Sequence, residues 1–202
     1  PNAEVSNAVP PGAAQGVQYL TMPRIAGATT AAADFGSISS GSLQASFSLF
    51  IPVNAPNDLF SVLLSNQSTN SAAGYQGSKV WLTVLPQNNN NVYYNDVNLL
   101  PVDTGIDYVK GVWQNWEINY TFVPGPNNDL WTISVGRITS APRHGGLNQN
   151  EASPQLRYLN FYTGANNSTF FLDAAVPEPS TALLLIVGGA VLRRRHAAKR
   201  NQ

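Results

Sequence analysis

The strongest constraint on the fold is a two-residue periodicity that recurs along the chain and never gives way to a helical pattern. Leu43, Ala45, Phe47 and Leu49 alternate with Ser42, Gln44, Ser46 and Ser48, which puts one apolar and one polar face on a single extended segment. Similar runs lie near Val17 to Thr21, Leu59 to Leu64, Lys79 to Leu85, Asn91 to Asn95, Trp113 to Val123, Leu130 to Arg137, Leu156 to Tyr162 and Thr169 to Asp173. Asn, Gly and Pro turns separate them. Trp116, Ile118, Tyr120 and Phe122 share one face, as do Trp131, Ile133 and Val135 beyond the six-residue segment Pro124 to Asp129, so the two runs read as a hairpin. No part of the body reads as a helix of about ten residues or more, and such a set of short strands predicts an all-β antiparallel sandwich wired as a Greek key or jelly roll.

The chain has no cysteine, which excludes a disulfide framework, a thiolate zinc site and a cysteine nucleophile together. Packing and strand pairing must hold the fold. Its 202 residues suffice for one domain and a short appendage. We divide them into an N-terminal segment, 1–16, without apolar periodicity and expected to be flexible or loosely docked; a sandwich domain, 17–175; and a tail, 176–202.

The formal charge is zero, but the body and the tail differ. Arg24, Lys79, Lys110, Arg137, Arg143 and Arg157 face ten acidic residues in the body, whereas Arg193, Arg194, Arg195, Lys199 and Arg200 are opposed in the tail by Glu178 alone. An acidic body without a basic face provides no counterion-release drive toward DNA or RNA, so no nucleic-acid partner is expected.

The tail runs Val176-Pro177-Glu178-Pro179-Ser180-Thr181, then an uncharged stretch to Leu192, then Arg193-Arg194-Arg195. The two prolines are expected to stop any preceding strand, and Ser180 or Thr181 to cap a helix. As a helix, residues 181–192 rise only about 18 Å, short of the roughly 30 Å hydrocarbon core. Leu183 to Val187 are apolar on every face, which argues against an amphipathic helix packed on the domain. The arginines would remain on the cytoplasmic side, the geometry of a C-terminal stop-transfer anchor.

These three blocks together resemble the PEP-CTERM sorting signal. The resemblance covers only the tail. It implies recognition of Pro177-Glu178-Pro179 by an exosortase-type membrane protease, transient anchoring through 181–192, and release of the domain at the cell surface or into the surrounding matrix. It also implies a secretory leader, which is not visible ahead of Pro1.

The body, roughly Val17 to Asp173, is similar to concanavalin A-like (laminin-G-like) sandwiches. The likeness rests on Gly111 to Ile118, the hairpin that follows, Phe161-Tyr162-Thr163-Gly164 and Phe170-Phe171-Leu172-Asp173. Such domains bind carbohydrate or protein, and some are glycosidases, so the fold alone does not choose.

A glycosidase needs two carboxylates across a groove. Glu117 is the acid in the middle of a strong strand, and its same-face neighbours Asn115, Asn119 and Thr121 cannot be its partner. Asp58, Asp96, Asp103, Asp107, Asp129 and Glu151 fall in loops or strand ends, where turn formation is their ordinary use. Asp96, Asp103 and Asp107 are candidate calcium ligands without diagnostic spacing, and no other cofactor or metal is expected. His144 and His196 are too few for zinc, and no Gly-x-Ser-x-Gly elbow supports a serine hydrolase. The expectation is therefore a non-enzyme.

For glycan binding the useful feature is an aromatic ring on the polar face of a strand. Tyr158, Asn160 and Tyr162 alternate with Leu159 and Phe161, and Trp81 stands with Thr83 opposite Val80, Leu82 and Val84. One of Tyr93 and Tyr94 must also point away from the core. The ordinary use of such aromatics is packing in the core or at its rim. The leading expectation is thus an exported, non-catalytic sandwich that binds exopolysaccharide or a protein partner. The alternative is a polysaccharide-degrading glycosidase using Glu117.

Overall fold

The structure, a computed structural model, describes residues 4–6, 19–22, 29–53, 60–67, 78–84, 90–96, 100–125, 128–144, 155–163 and 169–179. The hydrophobic run 181–192, its expected helix and the cluster Arg193, Arg194 and Arg195 lie outside them, as do Ser180 and Thr181.

Two antiparallel sheets form the predicted all-β sandwich. The strands are β1 (Glu4–Ser6), β2 (Tyr19–Met22), β3 (Thr29–Ile38), β4 (Ser42–Phe50), β5 (Phe60–Ser65), β6 (Ser78–Val84) and β7 (Asn91–Asn95). There follow β8 (Pro101–Asp107), β9 (Trp113–Thr121), β10 (Leu130–Val135), β11 (Ile138–Thr139), β12 (Arg143–His144), β13 (Leu156–Thr163) and β14 (Phe170–Pro179). The first sheet runs β1-β2-β14-β4-β9-β10-β11, with β12 also on β10, and the second runs β3-β13-β5-β6-β7-β8. The chain crosses between layers at β3, β4, β5 and β9 and again at β13 and β14. Every sheet therefore mixes distant segments, as a jelly roll requires.

The alternation read from sequence becomes the core. Leu43, Ala45, Phe47 and Leu49 of β4 face Trp116, Ile118 and Tyr120 of β9 and Trp131, Ile133 and Val135 of β10, all buried. Aromatic contacts tie the layers together. Phe47 of the first sheet meets Phe161 of the second edge-on at 5.1 Å, Phe170 meets Phe60 at 4.7 Å, and Trp131 meets Tyr94 at 5.3 Å. Such rings each remove a large apolar area from water, so they carry much of the stability that disulfides supply in small cystine-rich domains.

The β9–β10 hairpin forms as expected, with Trp131 opposite Tyr120 and Ile133 opposite Ile118. Its connection is latched by Asp129, which accepts hydrogen bonds from the Tyr120 hydroxyl (2.6 Å) and the Val123 N–H (2.8 Å). Burial, reinforced by the Asp129 carboxylate, holds the Tyr120 phenol far above its ordinary value. Asn90 adopts φ 61°, a left-handed turn geometry that asparagine tolerates better than most residues.

Residues 4–6 of the N-terminal segment form β1 on β2, because pairing at a sheet edge uses backbone groups and needs no apolar alternation. One expectation is corrected: Pro177 and Pro179 do not end the last strand. β14 continues through Pro179, with Pro177 opposite Ala45, Glu178 opposite Gln44 and Pro179 opposite Leu43. Among the described residues β2 pairs only with Phe170 to Leu172, so beyond them no described strand covers that side of β14, and a residue lacking an N–H is tolerated at such an edge.

Candidate functional site

The glycan-binding candidates converge on the outer face of the second sheet. Register sets them in adjacent rows. Tyr162, Ser61, Thr83 and Tyr93 stand side by side on β13, β5, β6 and β7, and Asn160, Leu63 and Trp81 form the next row. Tyr158 and Ser65 begin a third. Trp81, Tyr93, Tyr158 and Tyr162 are half-buried. Between them Ser61, Leu63, Ser65, Lys79, Thr83 and Asn160 are buried, so β5 is covered on both faces.

Local chemistry fixes this floor. The Asn160 amide donates to Ser65 Oγ (2.6 Å) and to the Gln67 carbonyl (3.1 Å), and Ser65 Oγ in turn donates to that carbonyl. The expectation that Asn160 offers an open amide beside the tyrosines is thereby corrected. Its position between two polar-face tyrosines marks it as outward, but that face is itself covered, and a buried amide must be spent on internal partners. At the edge of the face Arg157 grips Asp34 with two parallel hydrogen bonds, Nε to Oδ1 at 3.1 Å and Nη2 to Oδ2 at 2.8 Å, and lies 5.1 Å from the Tyr158 ring. The guanidinium holds the Asp34 carboxyl below its usual range, and that carboxylate raises Arg157 in return.

The carboxylates described on this face stand at its margins. Asp34 is on β3, while Asp103 and Asp107 are on β8, five strands away, or about 24 Å at the usual strand spacing. Asp103 is occupied by the Asn91 amide (2.7 Å) and the Gly105 N–H (2.7 Å), and Asp96 closes its own turn through the Leu100 N–H (2.9 Å). These are the turn roles expected of both. The middle of the face offers phenols, hydroxyls and the buried Lys79 ammonium, groups that transfer protons or neutralise an anion without a carboxylate pair.

Glu117 is elsewhere. It projects from the outer face of the first sheet, across the sandwich from Trp81 and the tyrosines, with Ser46 on β4 and Ser134 on β10 directly beside it. Asn119 donates to its Oε1 at 2.7 Å. His144 lies on the short strand β12, paired with Leu130 and exposed. Among the described residues no three His, Asp or Glu side chains gather. Reading the sequence missed Lys79, because a lone lysine at a strand start reads as a solvated end, whereas here it occupies an irregularity between β5 and β6 and is buried.

No family model matches the chain, and no curated protein matches it. Solved structures do. An endo-β-1,4-glucuronan lyase from the fungus Trichoderma reesei superposes with a TM-score of 0.58 at 12% identity, over 89% of this chain and 88% of the lyase. The alginate lyase Aly36B gives 0.55 at 7% identity, over 80% and 81%. The carbohydrate-binding module CBM66 from Bacillus subtilis gives 0.51 at 6% identity, over 88% and 92%. At these identities the likeness is one of fold. It nevertheless overturns the expectation of a non-enzyme. That expectation rested on the lack of a serine triad or a facing carboxylate pair, and the matched fold is one that carries polysaccharide lyases.

Proposed function

We propose that the domain cleaves a uronate-containing polysaccharide by β-elimination on the outer face of the second sheet. The observation that carries this reading is the composition of that face: four half-buried aromatics around a buried floor of hydroxyls and Lys79, with its carboxylates at the margins. Trp81 and the tyrosine rings suit the flat C–H faces of pyranose rings. In β-elimination a base removes the proton α to the uronate carboxyl, that electron pair forms the C4–C5 double bond, the C4–O bond breaks, and the departing glycosidic oxygen takes up a proton. Tyr158 and Tyr162, about 13 Å apart along β13, are alternative candidates for a single acid–base group, since a phenolate accepts the C5 proton and the resulting phenol gives a proton to the departing oxygen. The likeness to glucuronan and alginate lyases supports the choice of reaction at the level of fold.

The test is incubation of the full chain with glucuronan, alginate and polygalacturonate, following new reducing ends and the ultraviolet absorbance of unsaturated uronate together. Both should rise on at least one polymer, and Tyr158→Phe or Tyr162→Phe should slow that reaction by about 100-fold. Reducing ends without absorbance would mean hydrolysis, and neither signal would end the enzymatic reading.

Export to the cell surface is the setting we propose for this activity. It is supported by the order Pro177-Glu178-Pro179-Ser180-Thr181, apolar run, Arg193-Arg194-Arg195, with an exosortase-type protease as partner. Replacing Pro177 and Pro179 by Ala in the full chain should leave an unprocessed, membrane-associated precursor. Processing and release identical to the parent would refute it.

A further inference from the structure

The outer face of the first sheet carries a cleft of about 360 Å³ lined by Ser46, Ser48, Asn115, Glu117, Ser134 and Arg137, among others. Two opposite charges line it without joining. Glu117 uses one oxygen for the Asn119 amide, and Arg137 makes no ion pair or hydrogen bond with another described residue. Arg137 is held at the rim by its place in a two-residue turn between Val135 and Ile138. Gly136 there has φ 61°, a backbone sign that a β-hairpin turn of this length needs and that glycine adopts without strain. The remaining lining is hydroxyl and amide, with Ser48 Oγ donating to Asn115 Oδ1 at 2.8 Å and the Ser134 and Thr139 hydroxyls bonded at 2.8 Å.

One step along the same face from Asn115 is an aromatic row. Phe171, Phe50 and Trp113 stand side by side on β14, β4 and β9, with centroids 5.9 and 5.6 Å apart, and all three are half-buried. Trp113 and Asn115 are two residues apart on one strand, about 7 Å, roughly the reach of one pyranose ring. Packing rings on an outer face is unnecessary for the core. Beside an open carboxylate oxygen and an open guanidinium, they complete a surface that stacks on a C–H face while accepting and donating to neighbouring hydroxyls.

We propose that this face is a second carbohydrate site, specific for a neutral pyranose chain. Neutrality follows from charge. The cleft holds one carboxylate, Glu117, and one guanidinium, Arg137, so it carries no net charge to draw a uronate chain, while vicinal hydroxyls find both an acceptor and a donor there. The site lies across the sandwich from Trp81, and it requires no cleavage chemistry, so it stands or falls apart from the elimination reading.

The test is calorimetric titration of the full chain with cellohexaose and laminarihexaose, using the parent, Glu117→Gln, Trp113→Ala and the second-sheet variant Trp81→Ala, each checked for folding by circular dichroism. Saturable binding of one probe should persist in Trp81→Ala and weaken at least about tenfold in Glu117→Gln. Glu117→Gln keeps the shape of the side chain, so it reports even if Trp113→Ala does not fold. Binding lost in Trp81→Ala but kept in Glu117→Gln, or no binding of either probe by the folded parent, would overturn the proposal.

Discussion

Replacing Asp129 by Ala should cost this fold far more than a loop aspartate ordinarily does. Asp129 is 9% exposed and Tyr120 2%, and the carboxylate is the partner of both the Tyr120 hydroxyl at 2.6 Å and the Val123 N–H at 2.8 Å. Hydrogen bonds to a charged group are worth about 1.5–3 kcal/mol each, and a buried donor left without its acceptor costs about 1–3 kcal/mol. Asp129→Ala strands the phenol and frees the end of β9, so about 3–4 kcal/mol is expected. In a chain of this size that lowers Tm by roughly 6–16 °C. Tyr120→Phe removes the hydroxyl donor but strands no buried donor and leaves the Asp129 carboxylate bonded to Val123, so it should cost about half as much. Thermal and urea unfolding of the two single variants and the double variant measure this directly, and the coupling between the sites should be about 1.5 kcal/mol or more. An Asp129→Ala protein within about 0.5 kcal/mol of the parent would refute the latch.

Other consequences follow from the same structure. Because the folded Tyr120 phenol is raised above its ordinary value near 10, its stabilising contribution is complete below about pH 10 and is lost as pH rises further and unfolded chains ionise first; pH-dependent urea unfolding should show an alkaline loss that Tyr120→Phe diminishes. Asn160→Ala should destabilise by about 1–3 kcal/mol, because it leaves the buried Ser65 hydroxyl without its donor and the Gln67 carbonyl with Ser65 alone; a change confined to glycan binding would contradict its role in the floor. Phe161→Ala removes the ring that meets Phe47 across the two layers and should cost about 3–5 kcal/mol in urea unfolding.

Where a strand has one dry face and one wet face, its residues announce it, and β4, β9, β10 and β13 were legible for that reason. β3 was not. Its inward positions include Ala31 and Ala33, partly buried alanines packed on the core, too small to signal apolar alternation. β8 opens with Pro101 and contains Asp103 and Gly105, a turn composition, yet Ile106 and Thr104 are buried and the strand closes an edge of its sheet. The Pro-Glu-Pro segment read as a strand stop because proline lacks an N–H, and the tolerance of an edge is a property of the neighbours rather than of the residue. The site was half legible for a similar reason. Alternation placed Tyr158, Asn160 and Tyr162 on the polar face of one strand and Trp81 on that of another, and only the register sets the two strands' faces together; which polar residues on that face are buried depends on what covers it. The cleft at Glu117 needed the pairing of β4, β9 and β10, which no local pattern encodes.

The most direct test of the central claim is nuclear magnetic resonance of the full chain's four tryptophan indole N–H groups during titration with a glucuronate oligosaccharide. The chain has tryptophan at 81, 113, 116 and 131, of which Trp116 and Trp131 are core residues and Trp81 and Trp113 sit on the two opposite outer faces. The account predicts that the Trp81 resonance shifts and saturates while Trp113 stays in place. A shift of Trp113 without Trp81, or no shift of either, would contradict the assignment of uronate chemistry to the second sheet.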